Sequence, residues 1–160
     1  MEFLAAFHPK LVHFPIALLL TYTLLEAVGA ILKKDFFSKA AYILLILGVL
    51  GAVAAAQTGE QAELLFENWT KASGDLLESH EKYANLTVWL FSVLLVIRTA
   101  FTILVQLKKK YTVNQTVLKY IFVLIAIIGC YFIYETGEYG GKMVYEHGVG
   151  TKPMMESIEE

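Results

Sequence analysis

The chain has 160 residues, 57% of them hydrophobic and only 18% charged, with a mean hydropathy of +0.57. A soluble domain carries about a quarter charged residues, so this composition excludes one and indicates an all-α integral membrane protein, a four-helix up-down bundle of one domain over 1–150. The net charge of −2, with no basic patch, excludes nucleic acid and leaves the lipid bilayer as the first partner.

Four apolar runs approach the roughly 20-residue length that crosses a bilayer. They predict helices at about 11–32, 40–57, 75–107 and 116–135. No charged n-region with a cleavage site opens the chain, so the first run is expected to be retained. It is preceded by His8-Pro9-Lys10-Leu11-Val12-His13-Phe14-Pro15. A five-residue step on a helix turns the second side chain roughly 140° from the first, so His8 and His13 point at different things. Pro15, lacking an N–H, fits only the first turn or a kink, which puts the helix start near Leu11 or Val12. Deeper in the run stands Glu26, and Arg98 lies at a similar depth on the third helix. An ion pair between them is one reading; a proton or anion route is the other.

The second run is thin, with Gly48, Gly51, Ala52, Ala54, Ala55 and Ala56 in one half. Small residues either let neighbouring backbones approach or leave room for a bulky flat group. The run closes on Gln57-Thr58-Gly59-Glu60, where Gly59 reads as a C-terminal cap. An amphipathic surface segment is expected at 60–72, with Trp69 at headgroup level, and Ser73-Gly74-Asp75 reads as the break and N-cap before the third helix. The fourth helix carries the single cysteine, Cys130, which excludes an internal disulfide, and closes on a second Thr-Gly-Glu, Thr136-Gly137-Glu138. A glycine-punctuated segment follows, then a flexible tail at 151–160.

Charge sets the orientation. Lys33, Lys34 and Lys39 lie in one connection and Lys108, Lys109, Lys110 and Lys119 in another, both on one face. The positive-inside rule makes that face cytoplasmic and puts both termini outside, periplasmic if the membrane is a bacterial inner membrane. All four histidines, His8, His13, His80 and His147, then fall on the outer face. Helices 1 and 3 of such a bundle are diagonal partners, so His13 and His80 are expected to face each other as axial ligands of a b-type haem, with His8 and His147 at a second site or on the propionates. The same histidines with Glu60 or Glu138 suit a non-haem Cu, Zn or Fe ion. A cofactor-free structural subunit of an oligomer or larger complex is the third reading. No C-x-x-C-H is present, which excludes covalent haem attachment, and no H-E-x-x-H, G-x-S-x-G or G-x-G-x-x-G occurs.

The opening H-P-K-L-V-H-F-P, the T-G-E after helix 2, the histidine opening helix 3 and G-G-K-M-V-Y-E-H-G-V-G near the end resemble a family of bacterial predicted membrane proteins marked by an HPxxVHFP signature. The resemblance implies four transmembrane helices and a relation to membrane cytochromes; the redox reading adds a quinone or a c-type cytochrome as the expected electron partner. Its signature positions are His8, Pro9, His13, Pro15, Thr58, Gly59, His80, Gly140, Gly141, Tyr145, His147 and Gly148.

Overall fold

The computed structural model describes residues 5–66, 69–107 and 115–151. A single helical turn, α1 (His8–Leu11), leads into α2 (His13–Leu32), followed by α3 (Asp35–Leu65), α4 (Lys71–Gln106) and α5 (Gln115–His147). No strand occurs among the described residues. Four spans, the first being α1 with α2, are long and apolar enough to cross a membrane. Leu24, Ile31, Phe36, Leu50, Trp89 and Val96 are each more than 60% exposed, as side chains turned to lipid rather than water would be.

The architecture is two helical hairpins side by side. α2 packs most extensively on α3 and α4 on α5, while α2–α5 and α3–α4 contacts join the pairs. α2 and α4 are therefore diagonal, as the sequence implied. The α2–α3 turn is only Lys33-Lys34, with Lys33 left-handed (φ 54°). Beside it a Cβ on Gly29 would lie 2.9 Å from Ser38 Oγ, so the absent side chain lets the hairpin close. Leu19, Tyr22, Leu45, Phe91, Leu94 and Phe122 fill the core, and Tyr22 meets Phe91 edge-on across the diagonal at 6.1 Å.

One open choice is resolved and three local expectations are corrected. At Gly48 and Gly51 the small residues of α3 leave no slot. A Cβ on Gly48 would come 2.6 Å from Leu19 Cδ2 and one on Gly51 3.4 Å from Pro15 Cδ, so they serve close approach of α2. Gly59 is not a cap, because α3 continues to Leu65 and takes up the start of the expected surface segment at 60–72. The N-cap of α4 is Thr70 rather than Ser73-Gly74-Asp75: Ser73 N–H donates to Thr70 Oγ1 (3.2 Å), and Ser73 Oγ accepts from Thr70 N–H (3.0 Å), a reciprocal arrangement of the capping-box kind. Likewise α5 passes Thr136-Gly137-Glu138 and runs to His147. The apolar runs end where hydrocarbon would end, yet the helices do not. A mid-helix glycine costs only about 1 kcal/mol, and α5 is held past Gly137 by the Glu138–Lys142 pair at 3.1 Å. It stops at Gly148, left-handed at φ 65°. Apart from Thr151, the tail expected to be flexible lies outside the described residues, as do Lys108, Lys109 and Lys110.

Candidate functional site

Pro15 has no N–H to offer the Leu11 carbonyl, and the helix is interrupted at Val12, between α1 and α2. The α1 turn packs on α3. His8, half-buried, rests there: its Nδ1 lies 3.0 Å from the Ala55 carbonyl and 3.2 Å from Thr58 Oγ1. A carbonyl only accepts, so Nδ1 carries the proton and Nε2 is left with its lone pair. The Thr58 hydroxyl itself donates to the Ala55 carbonyl at 2.9 Å.

His80, on α4, repeats the arrangement against α5. Its Nδ1 donates to the Thr136 carbonyl at 2.8 Å, which again frees Nε2. Both histidines are backed by glycine. A Cβ on Gly59 would lie 2.9 Å from His8 Cε1, and one on Gly140 3.1 Å from His80 Nδ1. In each case the glycine stands four residues after the accepting carbonyl, 55 to 59 and 136 to 140. Helical side chains tilt toward the N-terminus, so a side chain at i+4 would lie over the carbonyl of i. Glycine there is what admits an imidazole to a mid-helix carbonyl. The two halves therefore do correspond, but in the register Gly59 with Gly140, not through the two Thr-Gly-Glu triplets.

The two imidazoles stand on diagonal spans, each turned onto the neighbouring helix of its own hairpin. The structure seats His8 and His80 alike, where the sequence pointed to His13 and His80. His13 is exposed at the start of α2, the outcome of the roughly 140° step from His8. His147 stands eleven residues beyond Thr136 on α5, about 16 Å farther along the axis, and Tyr145 is 91% exposed. Thr58 and Gly59 belong to the site through His8. Next to His80, Glu81 turns toward Glu63 and Glu60 of α3. Among the described residues no group of three or more His, Cys, Asp or Glu is placed to hold a metal ion.

Sequence reasoning missed Gly140 as a support for His80, and missed the carbonyls of Ala55 and Thr136. Backbone acceptors leave no side-chain signal; the glycine at i+4 was the one trace available.

The buried charges lie at the opposite end. Arg98 pairs with Glu26, both nearly inaccessible, and Arg98 Nη2 donates to the Ser38 carbonyl at 2.8 Å. The guanidinium also lies 5.9, 5.8 and 5.8 Å from the ring centres of Tyr22, Tyr42 and Phe122. One arginine on α4 thereby touches α2, α3 and α5, so the ion-pair reading holds and the cluster ties the bundle together.

No curated protein and no solved structure matches the chain. A family of predicted membrane proteins, DUF2231, matches residues 5–153, nearly the whole length and both ends of the histidine site. With four membrane-crossing spans and that match, the chain belongs to the DUF2231 family of predicted membrane proteins.

Proposed function

We propose that this chain is a membrane redox protein that holds a b-type haem between His8 and His80. The observation that carries the reading is the matched pair of imidazoles on diagonal spans, each with Nδ1 tied to a backbone carbonyl and each seated on a glycine. Haem would supply one-electron chemistry, and with four nitrogens of its own it would need only His8 and His80 to hold it. A tetrahedral zinc site asks for three or four protein ligands, and among the described residues no third ligand joins the pair.

The chain's own residues do the positioning. The Ala55 and Thr136 carbonyls fix ring orientation and tautomer, and a hydrogen bond at Nδ1 makes Nε2 the better base, the outer-shell role such partners have at ligated histidines. Thr58 adds a second acceptor on His8. By the lysine distribution the site faces the non-cytoplasmic side, open to a quinone or a c-type cytochrome as electron partner.

The test is an absorption spectrum of the detergent-purified protein, oxidised and reduced. A Soret band and a reduced b-type α-band are expected, lost in His8→Ala and in His80→Ala and retained in His13→Ala and His147→Ala. Protein without a Soret band and without iron overturns the reading. Retention of the full spectrum in the His8→Ala variant overturns the choice of ligands.

A further inference from the structure

On the outside of the bundle, between α4 and α5, runs an apolar groove of about 350 Å³ whose walls include Leu86, Trp89, Leu90, Val93, Ile97 and Phe132. From Leu86 to Ile97 it follows α4 for about 16 Å. It is open to lipid, with Trp89 71% and Val93 51% exposed. Toward the histidine end the surroundings change character. Tyr83, almost one turn from Leu86, sets its ring 6.2 Å from Phe132 and 6.3 Å, edge-on, from Tyr131, and stacks on Tyr139 at 5.7 Å. The Tyr131 hydroxyl is within hydrogen-bonding reach of the Glu135 carboxylate and of the Tyr83 hydroxyl. His80 lies almost one turn beyond Tyr83 on the same helix. Past Phe132, which lines the slot, thus lie two phenols and a carboxylate, on the side of a histidine of the candidate site.

We propose that this groove seats an isoprenoid quinone, its tail between α4 and α5 and its ring oxygens at Tyr83, Tyr131 and Glu135. The choice of occupant rests on the redox reading of His8 and His80; the groove and its polar head do not. The quinone head is neutral: its carbonyls accept from the phenols, and its reduced form donates to the carboxylate. A phospholipid would bring a phosphate anion beside Glu135, and of the lysines over the Tyr139 and Tyr83 rings, Lys142 is already paired with Glu138 while Lys82 is engaged by the Tyr83 ring. Like charge at close range makes that the poorer fit.

Trp89 reports the site directly. In a Trp69→Phe background it is the sole tryptophan, and its fluorescence is followed as a decyl-tailed benzoquinone is added to the detergent-purified protein. Saturable quenching is expected, with the apparent affinity about five- to tenfold weaker in Tyr131→Phe and in Glu135→Gln, as for loss of one hydrogen bond. Val93→Phe, a lipid-facing change that fills the groove without touching the core, is expected to abolish saturation. Quenching that rises linearly with quinone overturns the proposal. So does saturable quenching that phosphatidylglycerol displaces and that Tyr131→Phe and Glu135→Gln leave unchanged, for the groove is then a phospholipid seat. The titration reads Trp89 with or without haem, so a missing Soret band and a missing quench are independent results.

Discussion

At the scale of single residues, glycine carries more of the argument than histidine. An imidazole at a membrane interface has many uses, but one that reaches a mid-helix carbonyl needs bare backbone four residues on, and this chain provides it twice. Gly59→Ala and Gly140→Ala are therefore expected to displace their imidazoles, at ~1–3 kcal/mol for a forced overlap, and to cut haem content per protein at least fivefold. Gly137→Ala is the control: no atom lies within 4 Å of its added Cβ, and the exchange is expected to be neutral or stabilising by about 0.5–1 kcal/mol. Pyridine haemochrome content and thermal unfolding of the three purified variants check this. The sequence showed both glycines plainly, yet punctuation rules turn Gly59 into a stop, since a glycine after an apolar run has the look of a cap. What a glycine packs against is a tertiary fact. Only the ring of His8, fifty-one positions away in the chain, tells a cap from a cradle.

At the scale of elements, hydropathy located all four spans but not their ends. α3, α4 and α5 have 31, 36 and 33 residues, or about 46, 54 and 50 Å, against a hydrocarbon core of about 30 Å. The excess goes unread because the helices continue in residues that are merely polar, not helix-breaking. The Glu26–Arg98 pair, in contrast, was legible: two opposite charges at similar depth in apolar helices have few stable alternatives to each other. Removing one partner leaves the other buried and uncompensated, so Glu26→Gln and Arg98→Met alone are each expected to cost about 3–5 kcal/mol. The double variant is expected to cost less than the two single costs added together. A double-mutant cycle on thermal or chemical unfolding in detergent measures the coupling, and full additivity would count against the pair's holding role. The histidine site is at the opposite end, with seventeen residues between His8 and Glu26, so the absorption spectrum of a folded Glu26→Gln variant is expected to be unchanged.

For the whole molecule the open quantity is direction. The lysine-bearing turn at Lys33 and Lys34 and the histidine pair lie at opposite ends of the bundle, and the excess of lysine predicts that the former faces the cytoplasm. In a Cys130→Ala background, Tyr145→Cys, at the histidine end, is expected to react with a membrane-impermeant maleimide in intact cells, and Lys34→Cys only after the cells are opened. Labelling in the reverse order would turn the site toward the cytoplasm and change the partners it can meet.

Each histidine takes its carbonyl from the next long helix of its own hairpin, His8 from α3 and His80 from α5. Neither depends on the other hairpin for its orientation. The molecule is thus a pair of half-clasps, each complete within its own hairpin, and a group gripped by both rings would be the rivet between them. A duplex of two shorter chains, one hairpin apiece, would present the same jaws as this single polypeptide.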